Sequence, residues 1–244
     1  IHEHKLTEDA LREADQRKDE FLAMLGHELR NPLAPIRSAA ALLPLAKADP
    51  ARVEHIGRVI ARQSTHMTGL IDDLLDVSRV TRGLISLVQE DVAARLLVDE
   101  AVEQARPLIE ARTHALAIAD HADGACVHGD RKRLVQVIAN LLANAAKYTP
   151  PGGRIVVTLA QVDGMVEIAV GDNGIGMAPD LVDSVFELFR QGQRTPDRSQ
   201  GGLSIGLALV KKLVLLHGGR VRASSPGEGQ GSEIVVALPA CERS

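Results

Sequence analysis

The sequence predicts two unlike parts: an all-α helical hairpin that forms a four-helix bundle by dimerisation, followed by an α+β two-layer sandwich. Three observations predict this. Apolar residues recur at alternating steps of three and four through the first third of the chain, the spacing of a helix seam that wants a coiled-coil-like partner. Beyond Gly83 the period changes to short β-like runs separated by helical patterns. Between two of those runs, Asp163-Gly164 marks a tight hairpin, so strands and helices are mixed rather than strictly alternating.

The first seam runs from Leu22 through Leu25, Leu29, Pro32, Ile36, Ala39 and Leu43, and a weaker phase through Leu11, Ala14 and Phe21 extends it upstream. Asp49-Pro50 supplies a helix N-cap and first-turn proline. The second seam follows through Val53, Ile56, Ile60, Gln63, Met67, Leu70, Leu74 and Val77, and Gly83 closes it. Two helices cannot bury two wide apolar faces alone, which is why a dimeric bundle is expected. Strands are then expected at Ile85–Val88, Ala115–Ala119, Arg154–Ala160, Met165–Val170, Arg220–Ala223 and Glu233–Leu238. Helices are expected at Val92–Glu110, Arg131–Ala146 and Ile205–Leu216, the last ended by His217-Gly218-Gly219.

Composition removes other classes. Lys plus Arg number 28 against 32 Asp plus Glu, a net charge of -4, which lacks the basic excess of a dedicated nucleic-acid binder. Hydrophobic residues at 45% and charged residues at 25% are globular proportions. Cys126 and Cys241 stand far apart without ligand spacing, so neither a disulfide scaffold nor a zinc site is expected. No apolar stretch approaches the ~20 residues of a membrane span. The charged segment Ile1–Glu20 is no signal peptide, so a cytoplasmic protein with no membrane contact by this segment is expected. The chain opens on Ile1 within a helical pattern, as a piece of a longer protein would. With no Trp, one Tyr and three Phe, the core must be aliphatic, and each ring invites separate attention.

Among nine histidines, His27 is distinctive. It lies two residues from both Leu25 and Leu29, so at ~100° per residue it points away from the seam. Glu28 follows it, and Asn31 lies one turn on, on the same face. Pro32 removes a backbone donor and frees the Glu28 carbonyl. A carboxylate beside an exposed imidazole can hold the proton on one ring nitrogen and leave the other free as a nucleophile. An ordinary surface histidine is the alternative when the residue is read alone.

Asn140 and Asn144, four apart, share a helical face, with Lys147 three residues further on. Asn is mildly unfavourable inside a helix. Two in register are either plain surface residues or a face with amide oxygens for a hard cation and an ammonium for phosphate. Asp172-Asn173-Gly174-Ile175-Gly176-Met177 follows a strand, and its glycines permit close ligand approach. Gly201-Gly202-Leu203-Ser204-Ile205-Gly206-Leu207 opens a helix, where free N–H groups favour phosphate. Each alone is also explained as a turn, and no P-loop is present.

Together these segments resemble a known family. Phe21–Leu33 is similar, without gaps, to the phosphoacceptor box of bacterial sensor histidine kinases. Asn140–Thr149, Asp172–Gly176, Phe186–Phe189 and Gly202–Leu207 resemble, in order, the N box, first glycine box, F box and second glycine box of that family's Bergerat-fold ATP-binding domain. The resemblance implies that His27 accepts the γ-phosphoryl group of ATP, that Glu28 assists as base, and that Asn31 positions water for dephosphorylation of a partner. It implies Asn144 as the Mg²⁺ ligand, Asn140 and Lys147 on phosphates, Tyr148 on the adenine and Asp172 accepting the adenine amino group. Gly174, Gly176, Phe189, Gly202, Gly206 and Leu207 would complete the ATP site, with Ser232 near the base and Arg190–Ser204 as a mobile lid. The implied domains are a coiled-coil linker at 1–20, a dimerisation and phosphotransfer domain at 21–83 and an ATP-binding domain at 84–240. A homodimer, a response-regulator receiver and an upstream sensor domain outside this chain are the implied partners. The match departs at Ser204, where the family usually carries glycine. A nucleotide-impaired scaffold or phosphatase-biased member is therefore the alternative, and a chaperone- or topoisomerase-like ATPase shares the site but leaves the His27 box unexplained.

Overall fold

The computed structural model describes residues 23, 25, 26, 29–46, 49–82, 86–122, 124–187 and 205–241. His27, Glu28, Phe189, Gly202, Ser204 and the segment Ile1–Glu20 lie outside them. The described residues cluster in two units, one up to Asp76 and one from Val77 onward.

In the first unit, helix α1 covers residues 29–42, a 3-10 turn follows at Leu43–Ala46, and α2 runs Pro50–Thr81. The start of α2 is as the sequence predicts: the Asp49 carboxylate accepts the Arg52 amide at 3.1 Å. The hairpin closes through Ala39, Ala46 and Ile56, with Leu43, Val59 and Ile60 packed against them. Away from that contact the apolar faces stay open, with Leu33, Leu42, Ile71 and Leu75 all more than 40% exposed.

The second unit is a five-stranded sheet under a layer of helices. Strands β2 (Ala115–His121), β4 (Arg154–Val162), β5 (Met165–Asp172), β6 (Arg220–Ser224) and β7 (Ser232–Pro239) lie in the order β2-β4-β5-β7-β6. Only β2 and β4 are parallel. A parallel pair needs a crossover, which helix α4 (Arg131–Tyr148) supplies. It packs with α3 (Ala94–Ala111) and α6 (Ile205–Leu216) on one face of the sheet, and α5 (Pro179–Val182) is a single turn. Strand register sends Ile155, Val157 and Leu159 of β4 to the same side as Val166, Ile168 and Val170 of β5 and Ile234, Val236 and Leu238 of β7. Leu97, Leu134, Ile138, Leu141, Leu142, Leu209 and Leu213 meet them from the helices, all at most 1% exposed. At about 1.5–3 kcal/mol for each such side chain, aliphatic burial alone can hold the unit without aromatic rings.

The β4–β5 hairpin turns at Asp163 (φ 50°) and Gly164 (φ 75°), as the primed hairpin turn requires. Helix α6 ends where the glycines predict, with Gly218 at φ 69° and its amide on the Leu215 carbonyl. His217, buried just before it, receives the Asp130 amide on Nε2 at 3.0 Å and donates from Nδ1 to the Leu213 carbonyl at 2.7 Å. It thus joins the end of α6 to the N-cap of α4.

Two expectations are corrected. The run Ile85–Val88 forms no strand where it is described, at 86–88; the strand forms instead at Glu90–Ala93 (β1), paired antiparallel with Cys126–Gly129 (β3). Pairing partners, not local hydrophobicity, decide strand position here. The cysteines are also not independent. Cys126 opens β3 and Cys241 follows β7, their Cα atoms are 5.4 Å apart, and a disulfide joins them across 115 positions. The Cys241 amide also donates to the Cys126 carbonyl at 2.8 Å. Such a bridge limits the unfolded chain by closing a long loop. Adding reductant should therefore lower the melting midpoint of this unit by roughly 5–15 °C, corresponding to about 2–4 kcal/mol. Calorimetric scans with and without reductant test this, and a Cys241→Ser variant should show no response.

Candidate functional site

Strand alternation places the acidic residue of the first glycine box. The register that turns Val166, Ile168 and Val170 towards the helices turns Asp172 the same way, at the end of β5. Ser232 lies opposite Asp172 in the β5·β7 ladder, and its hydroxyl donates to Asp172 Oδ2 at 2.6 Å. Asp172 Oδ1 accepts the Gly174 amide at 2.8 Å. A carboxylate has about four acceptor positions, so both oxygens can take a further donor.

The glycine loop is fixed from two sides. The Ile175 amide donates to the Tyr148 carbonyl at the end of α4, at 3.1 Å. From the β6–β7 connection, Gly231 donates to the Gly174 carbonyl at 3.0 Å and Gly229 to the Ile175 carbonyl at 2.6 Å. Ser225 accepts the Met177 amide at 3.0 Å and donates to the Gly231 carbonyl at 2.7 Å. There is no room for side chains at the crossing points. A Cβ on Gly174 would stand 2.5 Å from the Tyr148 carbonyl oxygen, and one on Gly176 (φ 66°) would overlap the Gly227 carbonyl.

Along α4 the apolar stripe Leu134, Ile138, Leu141, Leu142 and Ala145 faces the core, while Asn140 and Asn144 sit half-buried beside the first turn of α6. A Cβ on Gly206 would lie 3.8 Å from Asn140 Cγ and 3.9 Å from Asn144 Nδ2. Asn140 Nδ2 is buried and has no hydrogen-bond partner among the described residues. Lys147 Nζ lies 5.0 Å from the centroid of the Tyr148 ring, which is 39% exposed.

The structure therefore draws Asn140, Asn144, Lys147, Tyr148, Asp172, Gly174, Gly176, Gly206 and Ser232 around the end of α4 and the loop beside it. Leu207 is buried on α6. Asn31 is exposed on α1, in the first unit. Sequence reasoning missed Ser225 and Gly231, which act through hydrogen bonds of a hydroxyl and of the backbone between segments distant in the chain. The glycine-rich stretch Gly227–Gly231 was their only visible signal.

The residues fit an anionic, metal-bridged ligand. A buried amide nitrogen without an acceptor is costly unless a ligand oxygen meets it. Among the described residues no cluster of three or more His, Cys, Asp or Glu could cage a metal. An amide oxygen such as that of Asn144 is a suitable donor for Mg²⁺, which is usually held by one or two protein oxygens together with substrate phosphates. Hydrogen bonds to Asp99, Glu103 and Glu100 hold Arg95, Arg106 and Arg131 above the ordinary arginine range, and burial pushes the Lys212 ammonium down.

Comparison with known proteins agrees with this geometry. Residues 17–83 match the His Kinase A (phospho-acceptor) domain, and residues 129–242 match the histidine kinase-, DNA gyrase B- and HSP90-like ATPase family. Sensor protein DivL of Caulobacter vibrioides is 34% identical over 94% of this chain and 29% of its own length. The signal transduction histidine-protein kinase/phosphatase MprB of Mycobacterium ulcerans is 34% identical over 94% of this chain and 45% of its own. The crystal structure of full-length ShkA in complex with AMPPNP superposes with a TM-score of 0.67 at 29% identity, covering 92% of this chain and 46% of that one. The chain spans less than half the length of these curated relatives. A phosphoacceptor segment followed by this ATPase fold, at such identity along nearly the whole length, fixes the lineage: the chain belongs to the sensor histidine kinase family.

Proposed function

We propose that this chain is the cytoplasmic catalytic core of a two-component sensor kinase, which phosphorylates itself on His27 from ATP and passes the phosphoryl group to an aspartate of a response-regulator receiver. One observation carries the reading. The amide of Asn140, without a hydrogen-bond partner among the described residues, shares a helix face with Asn144, and the same helix ends in Lys147 and Tyr148 beside the Asp172–Ser232 pair. That is one side for phosphates and one for a base.

In this reading Asp172, oriented by the Ser232 hydroxyl, accepts the amino group of the adenine, and the exposed Tyr148 ring packs on the base. Asn140 and Lys147 meet phosphate oxygens, while Gly174 and Gly176 allow the loop to approach. Gly206 and Leu207 shape the start of α6, and Phe189 and Gly202 belong to the segment that covers the nucleotide. The Asn144 amide oxygen would hold Mg²⁺, and the ion when bound would offset charge on the phosphates. A His27 ring nitrogen attacks the γ-phosphorus. The bond from that phosphorus to the β–γ bridging oxygen breaks, ADP leaves, and Glu28 accepts the imidazole proton. Asn31 positions water for the separate phosphatase reaction, in which water attacks the aspartyl phosphate of the partner, the acyl oxygen–phosphorus bond breaks, and the carboxylate and inorganic phosphate are released.

Residues 21–83 act as the dimerisation and phosphotransfer domain, and 84–240 as the ATP-binding domain. The linker at 1–20 relays a signal from a sensor domain. The open faces around Leu33, Leu42, Ile71 and Leu75 support a homodimeric four-helix bundle. Incubation with γ-labelled ATP and Mg²⁺ should place acid-labile, base-stable phosphate on the protein. Steady ADP release without a phosphoprotein would instead favour a chaperone-like ATPase.

A further inference from the structure

An α-helix leaves its last four carbonyls without partners inside the helix. At the end of α4 each finds one. The Ala145 carbonyl takes the Thr149 amide at 3.1 Å, and the Tyr148 carbonyl takes the Ile175 amide. The other two are held by the short connection between α3 and β2. His114 Nε2 donates to the Ala146 carbonyl at 2.9 Å, and Arg112 Nη1 donates to the Lys147 carbonyl at 2.8 Å, with a longer contact of 3.5 Å to Thr149. A carbonyl only accepts, so the His114 hydrogen sits on Nε2, and its buried Nδ1 has no partner among the described residues.

The connection is conformationally costly. Between the two donors stands Thr113 at φ 54°, a left-handed conformation that a β-branched residue rarely adopts. Such strain persists only where the surroundings over-determine the backbone. Here they do: the Thr113 amide bonds the Glu110 carbonyl, the Gly152 amide bonds the Arg112 carbonyl, and the Arg112 and His114 side chains grip the helix end. The arginine also places a cation at a helix C-terminus, where the macrodipole favours it.

We infer that Arg112 is a positioning residue for nucleotide binding: it holds the last turn of α4 so that Lys147 and Tyr148 keep a fixed direction. This rests on the ATP-site reading above. Neither Arg112 nor His114 needs to touch the ligand. Their effect passes through the backbone of the two residues that would, at a helix end that otherwise frays.

The test compares Arg112→Met, which keeps the apolar stem without donors, with Arg112→Lys, which keeps a cationic donor. Calorimetric titration with a non-hydrolysable ATP analogue and Mg²⁺ should show affinity about tenfold weaker in the Met variant, the fold-change expected for one lost charge-assisted hydrogen bond. The Lys variant should recover part of it. Amide hydrogen exchange should quicken at 146–149 in the Met variant, and combining Arg112→Met with Lys147→Ala should cost less than the product of the single effects. Unchanged analogue affinity in a folded Met variant would overturn the inference, as would full additivity with Lys147→Ala. If the Met variant melts below the assay temperature, Arg112→Gln carries the same comparison. Failure of the unmodified protein to bind the analogue would overturn the ATP-site reading instead, so the two failures are distinguishable.

Discussion

Replacing His27 with alanine is expected to abolish acid-labile labelling from γ-labelled ATP, while leaving affinity for an ATP analogue within about twofold of the unmodified protein. A nucleophile that forms the covalent bond cannot be replaced by its neighbours, so the loss should be to background rather than partial. The sequence pattern supports the assignment: residue 27 lies two positions from both Leu25 and Leu29, off the apolar seam that they belong to. The proposed nucleotide residues that the structure describes belong to the other unit, which is why binding should survive. Phosphate retained by the alanine variant would move the acceptor to another residue.

Introducing a single methyl group at Gly174 should be nearly as damaging, and in the opposite half of the reaction. An alanine Cβ there would stand 2.5 Å from the Tyr148 carbonyl oxygen and 2.7 Å from Asp172 Oδ1. No real side chain tolerates these distances, and both neighbours are pinned, one at the end of α4 and one by Ser232. The loop must move away from α4, breaking the Ile175–Tyr148 bond and misdirecting the Asp172 carboxylate. Analogue affinity should fall by roughly a hundredfold, since more than one charge-assisted contact is misplaced. Gly164→Ala provides the control. It is strained at φ 75° but meets nothing within 4 Å, at a hairpin tip. It should cost about 1 kcal/mol of stability and leave binding unaltered. If both alanines weakened binding equally, general destabilisation would be the cause.

What could be read without coordinates was what local pattern carries. Alternation located β4, β5 and β7 to within two residues at each end, Asp163-Gly164 marked their hairpin, and Ile205–Leu216 was matched end to end. Asn140 and Asn144 were visible as two asparagines in register on one helix face, Asp172 through the glycines that follow it, and Ser232 only through the family resemblance. The short pair β1 and β3 was hidden because four residues, two of them Glu90 and Asp91, carry no legible period. The Cys126–Cys241 bridge and the bonds from Arg112 and His114 to α4 were hidden for a different reason. They are made between segments that only the finished sheet brings together, and no spacing in one chain encodes them.

Strand β3 has a bearing on how this unit can be built into larger proteins. β1 pairs along one side of it, and on the other Val127 bridges to Ala240 beside the Cys126–Cys241 link. Whatever precedes Glu90 and whatever follows Cys241 thus depart from opposite flanks of a single four-residue strand. A module whose two attachment points are neighbours can be set between other domains without stretching its interior. Evolution could exchange what lies on either side while the nucleotide loop, at the far end of α4, kept its geometry.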